Sequence, residues 1–343
     1  MKKKAILIFS LVMTLGCVSN IERKENLGFV RNAHSMAYNA LESKVYLFAG
    51  ASEEEVVSDL WVLDSKNWRR VDTKIQPEPR TFASMVYDIQ NNRLILFGGS
   101  KVLFGIKPDS NNLLNDTWQF KNNKWEKLIT KNSPIPRAEA SMVYDQDRET
   151  VVLFGGYHIQ NNEYIKLGDT WEFRNNDWNL ITNSGPSNRH GAAMAYDSEE
   201  KCIILFGGST IDKQYGESKG ETWKWDGKEW KKTTNIGPAG IFNASMAYDE
   251  ERKEFIRFGG WNGTTRINET WRLSGNNWDK LKTNKSPNPR NHSNMIYDQK
   301  NGRMVLFGGH DGENVFGDIW EFRNYEWNKI METSPIRRIE NGH

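Results

Sequence analysis

Five arginines recur in one register. Arg31, Arg80, Arg137, Arg189 and Arg290 each stand five residues before the methionine of a Met-x-Tyr pair, and in the remaining copy that place holds Ile241. A guanidinium pairs bidentately with a carboxylate or a phosphate. Five of them around one opening would suit an anionic ligand. A second partner is also at hand. An acid stands two residues before a tryptophan in every copy: Asp59, Asp116, Asp169, Glu221, Glu269 and Asp318. One arginine–acid tie per copy accounts for a regular ring better than a small, asymmetric ligand does. The copy with Ile241 is the irregularity.

Other chemistry-bearing residues are scattered. Loops of variable sequence follow a glycine doublet at 51–58, 100–115, 157–168, 209–220, 261–268 and 310–317, and they carry Phe104, Tyr157, His158, Tyr164, Tyr215, Trp261, His310 and Phe316. Loops on a rigid scaffold are where binding residues concentrate, so Tyr157, Trp261 and His310 join the five arginines as candidate ligand contacts. The six histidines show no metal-ligand spacing. His34, His190 and His292 stand three, one and two residues after their arginines. These unequal offsets favour separate structural histidines. Glu139 is the one carboxylate within three residues after a ring arginine. Cys202 opens a strand where other copies have Lys44, Arg93, Thr150, Glu254 and Arg303, which suggests a partly exposed, incidental thiol. No nucleophile–base pair, cofactor motif or metal cluster is assigned.

The elements that position these residues are repeats. The doublets Gly98-Gly99, Gly155-Gly156, Gly207-Gly208, Gly259-Gly260 and Gly308-Gly309, with Ala49-Gly50 as the first copy, are spaced 49, 57, 52, 52 and 49 residues apart. Tryptophans seven apart mark the same six copies: Trp61/Trp68, Trp118/Trp125, Trp171/Trp178, Trp223/Trp230, Trp271/Trp278 and Trp320/Trp327. Within each copy the Met-x-Tyr pair has the period of a strand. Next comes an apolar run such as 151–154 or 203–206, suited to burial on both faces. The alternating stretch at the first tryptophan and the turn before the second, Asn122-Asn123 or Asp226-Gly227 for example, make a hairpin. Each copy is therefore a four-stranded antiparallel sheet, and six sheets ring a central channel.

A period near 50 residues with these two markers resembles the kelch repeat, here of a bacterial secreted or lipoprotein type. The resemblance covers 29–333. It implies an all-β fold, a six-bladed β-propeller of four-stranded antiparallel kelch blades, and leaves function open, because one fold hosts many activities. Two enzyme types within that resemblance are considered. The copper-dependent galactose oxidase type needs a cysteine cross-linked to a tyrosine, and Cys202 stands in an unsuitable strand position. The sialic-acid epimerase type is similar in blade count, leader and arginines. It would make the chain a carbohydrate-active enzyme on an acidic sugar.

Residues 1–16 read as a signal peptide, with Lys2-Lys3-Lys4 before the apolar run 5–12, which is too short for a stable span. The end of that run, Leu15-Gly16-Cys17, is similar to a lipobox and implies lipidation of Cys17. Residues 17–28 form the lipidated cysteine and a polar tether, and 334–343 a C-terminal tail. The formal charge of +2 falls to about −1 once three leader lysines are removed, with no basic block of the kind that binds nucleic acid. The expectation is a monomeric lipoprotein of the bacterial cell envelope, periplasmic or outer-surface. Its membrane contact is the lipid alone, and its loop face binds a protein or a glycan. Each terminal blade is complete in its own repeat, so the ring is expected to close by face packing without a shared strand.

Overall fold

The computed structural model describes residues 29–333, other than 53–54, 65–66, 104–108, 211–219 and 234–236, together with 336–337. The leader, Cys17, the tether, Phe104, Tyr215 and the rest of the tail lie outside the described residues. Six four-stranded antiparallel sheets follow one another along the chain, each ordered from its inner to its outer strand. The second blade shows the plan: Ser84–Asp88, Arg93–Ser100, Leu113–Lys121 and Lys124–Leu128. The apolar second strands are buried along their whole length in this blade and in the third, fourth and fifth. Their side chains interlock with the next blade. Ile95 and Phe97 of the second blade pack with Tyr144, Val151, Leu153, Phe173 and Trp178 of the third. At about 1.5–3 kcal/mol for each large apolar side chain buried, these faces hold the ring together.

The glycine doublet lets one blade touch the next. Gly98 and Gly99 have φ of +65° and +107°. A Cβ at Gly98 would meet the Arg137 carbonyl of the third blade at 2.8 Å. The Gly99 N–H donates to that carbonyl at 2.9 Å. The second tryptophan of each pair reaches the opposite way. The indoles of Trp178, Trp230, Trp278 and Trp327 donate at 2.9 Å to Thr117, Thr170, Thr222 and Thr270 of the preceding blade.

The ring closes through faces. Phe29 stacks on Trp61 at 4.4 Å and meets Phe307 of the sixth blade edge-on at 5.5 Å. Met36, Val45 and Leu47 share a core with Val305, Phe307 and Ile319. The first and sixth sheets each hold four strands of their own repeat. The short strand Ile336–Arg337 pairs with Asn314–Val315, a loop strand of the sixth blade itself. A circle of backbone hydrogen bonds runs around the channel. Ala33 donates to His292, Phe82 to Ala33, Glu139 to Phe82, Gly191 to Glu139, Asn243 to Gly191, and His292 to Asn243, at 2.8–3.3 Å. All six residues have φ between +53° and +62°. That region costs a residue with a Cβ roughly 1–2 kcal/mol, a strain the closed circle holds in place.

Cys202 departs from the sequence expectation. It is buried at 3% exposure, because Tyr248 and Phe255 of the fifth blade pack over that corner. Burial pushes its thiol up to about 12. No helix among the described residues is long and apolar enough to cross a membrane.

Candidate functional site

The arginines sit under the blade entrances, fully or almost fully buried. Arg80 makes a two-pronged pair with Asp116 at 2.7 and 3.0 Å, Arg137 with Asp169 at 2.7 and 2.8 Å, and Arg290 with Asp318 at 2.7 and 3.1 Å. Arg31 pairs with Asp59 at 2.8 Å and Arg189 with Glu221 at 2.9 Å. Arg80, Arg137, Arg189 and Arg290 also donate to the carbonyl of the first doublet glycine, at 2.8–3.0 Å. Each acid accepts the indole N–H of the following tryptophan. Burial alone would raise the carboxyls of Asp116, Asp169 and Asp318, and the guanidiniums outweigh it and hold them below their ordinary range. The guanidiniums of Arg80, Arg137, Arg189 and Arg290 are thus engaged by the protein itself, whereas Arg31 holds Asp59 while its Nε is buried without a hydrogen bond.

The irregular blade has its own solution. With Ile241 in the arginine's place, a different strand supplies the guanidinium. Arg257 stands where other second strands have Leu47, Leu96, Leu153, Leu205 and Leu306. It is fully buried and donates to Gly259 O at 3.1 Å, the first glycine of its doublet. Arginine and aliphatic side chain have exchanged positions.

One and two residues beyond the arginine, the chain turns to the channel mouth. The first of these positions holds Asn32, Thr81, Ala138, His190, Phe242 and Asn291. Each bridges the residue after a glycine doublet: Ala51, Ser100, Tyr157, Ser209, Trp261 and His310. The second position is the hydrogen-bonded circle itself: Ala33, Phe82, Glu139, Gly191, Asn243 and His292. The sequence candidates Tyr157, Trp261 and His310 therefore share one register on the outer side of the mouth. Tyr157 and His310 are buried at 3% and 5%. In the third blade the loop folds into a hairpin, Tyr157–Gln160 with Glu163–Lys166, that draws Tyr157 inward against Phe82 and Ile159. Trp261 is half-buried, with the Arg266 guanidinium 4.2 Å from its ring centre.

On the side of blades three to six these registers bring ionisable groups together. Glu139, its side chain 3% exposed, receives His190 Nδ1 on Oε2 at 2.5 Å, and His292 Nε2 lies 3.6 Å from Oε1. Asn243 Nδ2 is 2.6 Å from His292 Nε2, and His292 Nδ1 is 3.0 Å from His310 Nε2. Burial would raise the Glu139 carboxyl; the His190 and His292 imidazoles more than reverse this and hold it far below the usual carboxylate range. Phe82 meets His292 edge-on at 5.0 Å, and Tyr157 and Phe242 flank His190, each at 5.7 Å. Glu139, His190, Asn243, His292, His310, Phe82 and Phe242, with Trp261 and Arg266, line a cavity of about 80 Å³. Below the circle the same Phe82, Glu139, Asn243 and His292 line the neck toward the channel.

Sequence offsets suggested unrelated histidines. His190 and His292 occupy adjacent registers and share one carboxylate. The available signal was the position two after the arginine, which differs in all six copies. His34, three after its arginine, is buried outside this cluster, and burial with the Arg31 charge lowers it to about 3. The nitrogens and carboxylate oxygens of the cluster form a string. Among the described residues, the group whose ligand atoms all lie within 4.8 Å is elsewhere, at Asp197, Glu200 and Cys202. The mouth thus offers an ionised buried carboxylate that orients imidazoles, several amides, and aromatic faces.

Comparison with known proteins agrees with this architecture. A KLHDC2/KLHL20/DRC7 Kelch-repeats domain matches residues 4–185 and 148–343. Mei4-dependent protein 6 of Schizosaccharomyces pombe is 26% identical over 206 residues, 54% of this chain and 29% of that protein. The flagellar outer-arm dynein alpha chain of Chlamydomonas reinhardtii is 31% identical over 180 residues, 49% of this chain and 4% of that one. The chain thus spans less than a third of the length of these curated relatives. A solved structure of YjhT superposes with a TM-score of 0.69 at 15% identity, over 89% of this chain and 98% of that one, a likeness of fold. Because the kelch-repeats domain matches both halves of the sequence, the chain belongs to the kelch-repeat family.

Proposed function

We propose that the chain is a binding module of the cell envelope, lipid-anchored at Cys17, that takes a protein side chain or a glycan at the loop-face mouth of its channel. The observation that carries the site is the mouth cavity. There Glu139, His190, His292 and His310 meet Phe82, Phe242 and Trp261. A concave place with aromatic walls and a few convergent polar groups is the usual form of a ligand site. The regular arginine pairs support the same reading by leaving the irregular residues as the contact set.

The test is calorimetric titration of the full chain with neutral sugars, acidic sugars and short peptides. A saturable ligand is expected in one of these classes, at least about ten-fold weaker in Glu139→Gln and in Trp261→Ala, a loss of about 1.4 kcal/mol each. Binding that survives both substitutions would place the ligand elsewhere and overturn the reading. The anchor is tested by Cys17→Ser, which should move the chain from the membrane to the soluble fraction.

The second reading is an enzyme acting on an acidic sugar. It is favoured by one feature, a buried carboxylate held by His190 and outside the five arginine–acid ties. Carboxylate–imidazole pairs transfer protons in many active sites. Proton-exchange NMR on the same sugars separates the two, since a binder leaves them chemically unchanged.

A further inference from the structure

Five inner strands end in an aspartate, and four of these carry a guanidinium of their own hairpin. Arg93 pairs with Asp88 at 2.8 Å, Arg252 with Asp249 at 3.2 Å and Arg303 with Asp298 at 3.1 Å, and Arg148 pairs with Asp145. Among the described residues Asp197 of the fourth blade has no such partner. Across the hairpin from it, in register, stands Cys202, where the second and sixth blades have Arg93 and Arg303. Glu200 lies in the turn between them. One ligand atom from each of Asp197, Glu200 and Cys202 falls within 4.8 Å of the other two. Asp197 and Cys202 are buried, and the Glu200 side chain is 48% exposed, which leaves a way in from solvent.

Two further observations point to a cation at this corner. Tyr248, 5% exposed, sets its hydroxyl against Asp197, yet that oxygen has no hydrogen bond of normal geometry. Asp197, Glu200 and Tyr248 line a cavity of about 70 Å³ there. Lys224, from the third strand, pairs with Glu200. A positive charge is already drawn to the spot by a side chain that can swing away.

From this geometry we infer that the Asp197–Cys202 hairpin binds a zinc-like divalent ion through the Cys202 sulfur and the Asp197 and Glu200 carboxylates. Metal–sulfur and metal–oxygen bonds of about 2.3 and 2.0–2.2 Å place ligand atoms roughly 3–4 Å apart, close to the observed grouping. A thiolate ligand selects zinc, cobalt or cadmium over magnesium and calcium, which prefer oxygen alone. On binding, the Sγ–H bond breaks, an Sγ–metal bond forms, and the proton passes to solvent. The Tyr248 hydroxyl or a water completes the coordination, and Lys224 releases Glu200.

The experiment uses the full chain with Cys17→Ser, so that Cys202 is the sole thiol, stripped of metal and titrated with Co²⁺ and then Zn²⁺. One equivalent of Co²⁺ should give a thiolate charge-transfer band that Zn²⁺ abolishes, with one proton released per ion. Cys202→Ala should remove the band, and Glu200→Gln should weaken binding about ten-fold. Lys224→Met should tighten it, because a competing cation is gone. That last variant guards against misfolding as the cause of a loss. Absence of the band, binding indifferent to Cys202→Ala, or weaker binding in Lys224→Met would overturn the assignment and leave a salt-bridge corner only.

Discussion

Two rings lie two residues apart in this chain and obey opposite rules. In the arginine ring five of six copies carry the same side chain, and each guanidinium is buried against an acid of its own blade. In the mouth ring the six residues are Ala, Phe, Glu, Gly, Asn and His, although their backbones share one conformation and one hydrogen-bonded circle. The scaffold needs the first set as side chains and the second only as backbone. Where the fold demands nothing of a side chain, its identity is available for a ligand. Left-handed backbone is often a mark of a functional site. Here it recurs in every blade and belongs to the scaffold, so the side chains alone mark the site.

The comparison breaks first if the arginines are dispensable. Arg80→Ala leaves Asp116 without its partner under the blade entrance. Removing one member of a buried pair costs about 3–5 kcal/mol. Urea unfolding should show that loss, with ligand binding unchanged in the fraction that stays folded. A loss below about 1 kcal/mol would mean that the ring is not structural.

Blade five sharpens the point. Ile241→Arg restores the repeat pattern, yet it places a second guanidinium beside that of Arg257, which is already buried and whose own pKa burial has lowered to about 10. We expect a cost of about 3 kcal/mol from the uncompensated buried charge. Adding Arg257→Leu should recover most of it. If the single variant is neutral, the two arginine positions are not equivalent in space.

The mouth ring should behave differently. Glu139→Gln keeps an acceptor for His190 and removes a charge-assisted bond, so the stability cost at neutral pH is about 1–2 kcal/mol, while ligand binding falls sharply. The pH dependence follows from the depressed Glu139 carboxyl. A carboxyl whose folded pKa lies below its unfolded value stabilises the fold above about pH 4.5, and that contribution disappears as pH falls further. The acid limb of the Glu139→Gln stability profile should be flatter than that of the parent. His34 tests the same linkage through a scaffold residue. Its neutral imidazole, lowered to about 3, binds its proton in the unfolded chain from about pH 6.5 downward. The fold should lose up to about 1.4 kcal/mol per pH unit between there and pH 3. His34→Ala, the residue type at Ala83, Ala140, Ala192 and Ala244, should remove that slope.

What was legible in the sequence follows the same division. The blades and the strand order repeat six times and the arginine–acid ties five times, and repetition is what pattern reading detects. The mouth was harder to see because its signal is the failure to repeat. Glu139 stood out only by nearness to Arg137. His190 and His292 looked unrelated because adjacent backbone registers, one bridged to a loop and one in the circle, converge on one carboxylate in space. The burial of Tyr157 and His310 could not be read from loop position, which says nothing of how a loop folds back. Cys202 was judged by the polar residues at its register, yet Arg93, Thr150 and Glu254 there are themselves buried, so polarity at that position did not signal exposure.

The smallest test concerns two indoles that the repeat leaves unserved. The N–H groups of Trp68 and Trp125 are buried without an acceptor. Their sister tryptophans donate to a threonine of the preceding blade, and the matching residues here are Ile319 and Leu60. Leu60→Thr puts a hydroxyl where four other blades already carry one. It removes apolar volume, which in a core costs about 2 kcal/mol or more when nothing replaces it. It also supplies a hydrogen bond worth about 0.5–1.5 kcal/mol and ends the penalty of a buried orphan donor. The two effects should cancel to within about 1 kcal/mol in thermal unfolding, unlike the costly restoration at Ile241. Repairing a repeat is cheap where the neighbouring blade still fits the pattern, and expensive where another side chain has already taken the place. A full core-truncation cost at Leu60 would show that the first blades have repacked around the missing hydroxyl, as the fifth has around Arg257.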